Sequence, residues 1–188
     1  MSAPFYEIFQ LGTLGGDTTT GVAINELGQV TGESRTSANI DHAFIGDQSG
    51  LIDIGTLIGS SGDSSGRDIN DLGQVTGRST SVTGFNHAFV GGVQGLTDLG
   101  TLGSGVFSGG GGINNNGVVA GTSLTINQTT PRAFISGVSG LFDLGASNFG
   151  LNPSSSATGI NDSGLVVGTD GDRAFIGDVN GRIDIGGT

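Results

Sequence analysis

The chain has 188 residues, 39 of them Gly, with no Cys, Trp or Lys and a formal net charge of −11. Without Cys there are no disulfides or thiolate metal sites, and the acidic balance opposes nucleic-acid phosphates. No apolar run approaches the roughly 18 residues of a membrane span, so no membrane insertion is expected, and Met1-Ser2-Ala3-Pro4 lacks the charged and apolar pattern of a signal peptide.

The first element, Gln10-Leu11-Gly12-Thr13-Leu14, is an altered copy of a stretch that closes each later unit. Those later copies are Asp53-Ile54-Gly55, Asp98-Leu99-Gly100, Asp143-Leu144-Gly145 and Asp184-Ile185-Gly186. Between them the chain repeats one order of events. Ile-Asn stands at Ile24-Asn25, Ile69-Asn70, Ile113-Asn114 and Ile160-Asn161, spaced by 45, 44 and 47 residues. Turn glycines follow at Gly28, Gly73, Gly117 and Gly164, and strand-ending glycines at Gly32, Gly77, Gly121 and Gly168. The Ala-Phe pairs Ala43-Phe44, Ala88-Phe89, Ala133-Phe134 and Ala174-Phe175 come next.

A fixed period of that size marks a repeat architecture in which each unit buries its apolar face on the next. Helical periodicity is absent, and short β-rich runs bounded by Gly, Asn and Asp predict four strands per unit. In the second unit these are 67–70, 74–78, 87–90 and 96–99, with Asp71-Leu72-Gly73 as a hairpin loop. Ala, Phe and Val/Ile in succession predict a third strand covered on both faces, hence sheets stacked face to face. The expected fold is all-β: a propeller-like array of four antiparallel four-stranded units at about 9–52, 53–97, 98–142 and 143–188. The Asp-Leu-Gly element is then split between the two termini, which predicts closure or self-association through Phe5, Ile8, Leu11, Ile183 and Ile185.

"DLGTLG" at 98–103, "INDLGQVTG" at 69–77 and "HAF" at 87–89 resemble the bacterial HAF (His-Ala-Phe) repeat family, over nearly the whole chain. That family is described as extracellular and has no assigned activity, so the resemblance implies an extracellular or cell-surface location. The chain departs from it where Arg132 and Arg173 replace the histidine of His42 and His87, and where small residues such as Gly46 replace an aromatic.

That substitution speaks against catalytic or metal-binding histidines, since Arg neither titrates usefully nor ligates a metal. A shared cation–carboxylate contact with Asp53, Asp98, Asp143 and Asp184 explains both residue types. No metal site is predicted. Asp170 and Asp172 are the nearest acidic pair, and calcium is the one cofactor that the net charge would accommodate. Gly62-Asp63-Ser64-Ser65-Gly66 has the outline of a nucleophile loop but no His–Asp partner set. A ligand would meet the variable loops, which offer Arg35, Asn39, Phe85, Asn86, Asn127 and Gln128. The reading is a non-enzymatic structural or adhesive repeat protein that binds copies of itself. A glycan-binding, calcium-assisted module is the alternative.

Overall fold

In the computed structural model, residues 8–103, 105–125, 130–145 and 154–185 are described. Each unit is organised by one Asn side chain. Asn70 Oδ1 accepts from the backbone N–H of Leu72 at 3.1 Å and of Gln74 at 2.9 Å, so the amide oxygen holds the whole loop. Gly73 turns the chain at a φ of 71°, a left-handed value that glycine adopts without steric cost. Asn25, Asn114 and Asn161 build the same turn.

The strands that these turns connect form four antiparallel sheets of four, each in simple sequence order. The first holds β1 (Gly15–Ile24), β2 (Val30–Thr36), β3 (Asp41–Asp47) and β4 (Gly50–Gly55). The second holds β5 (Ser64–Ile69), β6 (Val75–Thr80), β7 (Asn86–Gly92) and β8 (Gly95–Gly100). The third holds β9 (Ser108–Ile113), β10 (Val119–Leu124), β11 (Pro131–Gly137) and β12 (Gly140–Asp143). The fourth holds β13 (Ser155–Ile160), β14 (Val166–Asp170), β15 (Arg173–Asp178) and β16 (Gly181–Ile185). The described residues contain no helix. All four sheets begin well after the expected unit starts, and the first three end slightly after the expected unit ends. The cause is that Asp-Leu/Ile-Gly pairs with its own Ala-Phe strand, as Phe44 with Asp53 and Phe89 with Asp98, and does not open the next sheet.

Every first strand carries a bulge near its end. Pairing skips Val22, Arg67, Gly111 and Thr158, which stand as extra residues against the second strands. A bulge of this kind twists the strand and re-aims the extra side chain.

The core lies between sheets, not within them. Ala43, Ile45 and Ile54 of the first sheet pack with Ile69, Val75 and Phe89 of the second. Ala88 and Leu102 meet Ile113, Val119 and Phe134 at the next junction, and Ala120, Ala133 and Ile135 meet Ala157, Val166 and Phe175 at the last. Phe89, Phe134 and Phe175 are fully buried, each stabilising its junction by about 1.5–3 kcal/mol. No hydrogen bond or hydrophobic cluster among the described residues joins the fourth sheet back to the first, so the array is open.

Candidate functional site

The junctions between sheets are built from repeated polar contacts. While Asn Oδ1 holds its own turn, its amide nitrogen reaches the next unit. Asn25 Nδ2 donates to the carbonyl of Asn70 at 2.9 Å, Asn70 Nδ2 to that of Asn114 at 2.9 Å, and Asn114 Nδ2 to that of Asn161 at 3.0 Å. Both ends of the amide are used, which is why Asp would not serve. A second ladder runs beside it. The backbone N–H groups of Glu26, Asp71 and Asn115 donate to the side-chain oxygens of Asp71, Asn115 and Asp162 at 3.0, 2.9 and 2.8 Å. Asn115 also donates through Nδ2 to Asp71 at 3.1 Å and Asp162 at 3.2 Å, placing one neutral amide between two carboxylates.

A serine at the start of each following first strand completes the junction. Ser64, Ser108 and Ser155 accept from the N–H groups of Ala43, Ala88 and Ala133 at 2.8, 2.8 and 2.9 Å. Each hydroxyl donates onward to the carbonyl of Gly55, Gly100 or Gly145. Ser64 is therefore a junction residue, and its resemblance to a nucleophile ends there.

Both ladders stop at the ends of the array. Ile69 and Ile113 are each 5% exposed, whereas Ile24 at the same position of the first unit is 67% exposed. At the other end Ala174 is exposed where Ala43, Ala88 and Ala133 are fully buried, and Ile185 is 51% exposed against 6% for Ile54. Asn161 makes no amide bond onward to a described residue. One end of the array thus carries the donor half of the junction and the other end the acceptor half. Between them Ile24, Ile69, Ile113 and Ile160, with the turn residues that follow, line a shallow pit of about 200 Å³.

The expected cation–carboxylate contacts are present in three units. His42 Nδ1 lies 3.0 and 2.8 Å from the Asp53 oxygens and His87 Nδ1 lies 3.0 and 2.9 Å from those of Asp98. Arg132 pairs with Asp143 at 3.0 Å. The same aspartates accept the N–H groups of Gly55, Gly100 and Gly145 at 2.7 Å, so each ties strand three to the turn after strand four. The other ring nitrogen, His42 Nε2, is buried and makes no hydrogen bond to a described residue. That ring braces strand three against Asp53 at the edge of a shallow cavity.

The loop residues singled out in the sequence do not gather into one cavity. Arg35 is held by Asp41 at 3.0 Å and approaches Asn39, which occupies the loop with a φ of 63°. The Arg35 hydrogen bond holds the Asp41 carboxyl below the usual carboxylate range. In the second unit Phe85 is exposed, while Asn86 borders a separate cleft with Glu33, Asp41, Asp63 and Arg78. Asn127, Gln128 and Phe5 lie outside the described residues. Ile8, Ile183 and Ile185 are exposed at the two ends of the array and Leu11 is half-buried. Asp170 is buried against Arg182 and Asp172 is exposed, so a cation there would have to displace a guanidinium. No group of three or more metal-ligating side chains occurs among the described residues. No helix among them is long and apolar enough to cross a membrane.

The junction ladders escaped the sequence reading because they run to backbone carbonyls, although the invariance of Asn after Ile in all four units was their visible trace. No family model, curated protein or solved structure matches the chain.

Proposed function

We propose that the chain is a structural, self-associating repeat module, extracellular or surface-borne as its resemblance to HAF repeats implies. Its sheets act as blades of a propeller-like array left open at one junction, and a second copy of the chain docks there. Its role is scaffolding or adhesion, with no chemical step.

The observation that carries the reading is the interrupted amide ladder. Three internal junctions repeat the same bonds, and the two ends present their unmatched halves. In the assembly Asn161 Nδ2 of one copy donates to the Asn25 carbonyl of the next, and Ala174 covers Ile24. Donor and acceptor halves differ, so the contact is heterologous, and such contacts grow into rings or filaments according to whether the rotation closes. All four first strands already border one small pit. Added copies therefore climb along the axis, and an open-ended species is expected in place of a discrete dimer.

Light scattering on a sizing column tests this directly. The wild type should show masses well above 18.6 kDa that rise with loading. Asn161→Asp keeps the turn-forming oxygen while replacing the donor with a negative oxygen that repels the Asn25 carbonyl, and Ile24→Glu charges the opposite face. Each should give a folded species near 18.6 kDa. A wild type that stays at monomer mass at every concentration would overturn the proposal.

A further inference from the structure

The bulges in the first strands bring a second feature together, independent of the end faces. Arg67, Gly111 and Thr158 are the bulge residues of β5, β9 and β13, and all three line one cleft of about 410 Å³. Arg78, Phe107, Gly109, Gly110, Thr122, Ser156 and Ala157 complete it.

Its charge is unusual for this protein. Of six arginines, Arg35, Arg132 and Arg182 pair with aspartates and Arg173 is also engaged. Arg67 and Arg78 are exposed and make no hydrogen bond or ion pair with a described residue. Both project into the same cleft of a chain with 17 carboxylates. Arg78 also borders the cleft of Glu33, Asp41 and Asp63 without an ion pair to any of them. Asp68, next to Arg67, spends its oxygens on the N–H groups of Ile69 and Ile113. More distant carboxylates are screened beyond about 8 Å at physiological ionic strength.

The floor and walls suit a ring-shaped, hydroxylated ligand. Phe107 is half-buried beside Gly109, and the Thr122 and Ser156 hydroxyls meet at 2.6 Å across the floor. Packing explains Gly110 and Gly111, whose added Cβ atoms would lie 2.0 Å from Thr76 and 2.6 Å from Ala157. It does not explain Gly109, where a Cβ would meet nothing closer than 3.7 Å. A bare residue there keeps the space between Phe107 and Arg78 open. We infer that this cleft binds an acidic saccharide, with its carboxylate on Arg67 and Arg78, an apolar ring face on Phe107 and its hydroxyls on Thr122 and Ser156. Paired guanidinium groups match a carboxylate better than ammonium groups would.

Titration calorimetry with trigalacturonate, neutral galactotriose and inorganic phosphate tests the inference. Trigalacturonate should bind, weaken with added salt, and outbind galactotriose and phosphate by at least about tenfold. Arg67→Gln and Arg78→Gln should each cost about tenfold at unchanged melting temperature. Gly109→Leu should abolish binding by filling the cleft while leaving the sheet intact. Absence of binding by the uronate, equal binding of phosphate, or undiminished binding by folded variants would each overturn the assignment. Assembly plays no part in the site, so the Asn161→Asp monomer should bind trigalacturonate as the wild type does, and its failure to do so would also count against the inference.

Discussion

Thr19 donates its hydroxyl to the carbonyl of Gly12 at 2.8 Å, the bond that Ser155 makes to Gly145 at 2.8 Å between the third and fourth units. Leu14 likewise donates its N–H to Ser34 Oγ at 3.0 Å, as Leu57 does to Ser79 and Leu102 to Ser123 at 2.9 Å. The Gln10-Leu11-Gly12 copy therefore sits on the first sheet as the end of a preceding unit would. The outgoing half of the split element is in place, and the incoming half ends exposed at Ile185.

Removing that anchor should free the N-terminal stretch without unfolding the array. Thr19→Val keeps the shape and deletes the hydroxyl, at a cost of about 0.5–1.5 kcal/mol. Amide exchange at Leu14 should accelerate while Val75 and Val119, in the buried junctions, stay protected. Unchanged exchange at Leu14 would mean that Gly12 is held by something else.

Neighbouring glycines in β9 should respond in opposite ways to one methyl group. Gly110→Ala drives a Cβ to 2.0 Å from Thr76 Oγ1, whose bond to the Phe89 carbonyl at 2.7 Å fixes it in the junction. Overpacking of that kind costs about 1–3 kcal/mol. Gly109→Ala meets only ordinary contacts and removes freedom from the unfolded chain, a gain of about 0.4–1 kcal/mol. Thermal melts of the two variants on either side of the wild type would bear this out, and equal losses would refute it.

The Arg35–Asp41 contact gives a small acid-side dependence with a definite sign. The Arg35 hydrogen bond lowers the Asp41 carboxyl from its ordinary 3.8 and Arg35 itself is raised. The pair thus contributes above pH 3.8, and the contribution fades as pH falls below that value. Wild type and Arg35→Gln should differ by a constant small amount at neutral pH and converge in acid. About a third of each side chain is exposed, so salt should shrink the difference as well. A gap that widens in acid would contradict the geometry.

Much of the architecture was legible because each local signal had one structural meaning. Asn70 and Gly73 specify their loop by side-chain acceptance and a left-handed φ, and both features are visible as letters. The same holds for Ala-Phe, whose run of apolar residues announces a strand covered on both faces. Burial was less legible. Ala174 and Ala133 occupy the same motif, yet one is exposed and the other sealed, because only Ala133 has a following sheet. The Arg67–Arg78 cleft was illegible for another reason. Arg67 reads as an ordinary strand residue next to Asp68, and only the bulge turns it toward Phe107. The loop residues Arg35 and Phe85 looked more available than they are placed to act together.

Asn115 offers the sharpest test of the junction electrostatics. Its Oδ1 accepts from Asp71 while Nδ2 donates to both Asp71 and Asp162, so the amide keeps two carboxylates apart and bonded. Asn115→Asp retains the accepting oxygen and turns the donor into a third negative group. The loss should be about 1–2 kcal/mol at neutral pH, tempered by solvent exposure. Asn115→Ala removes the bonds without the repulsion and should lose less. The sign with pH follows from like charges, which raise a carboxyl's folded value. The excess penalty is therefore full above the carboxylate range and relieved as pH falls through it, opposite to the behaviour of Asp41. Millimolar calcium should also relieve it, because a divalent ion can replace the lost amide between the oxygens. Melting both variants across pH 3–8, with and without calcium, separates the terms; an aspartate variant no worse than the alanine one at neutral pH would show that the carboxylates do not feel each other.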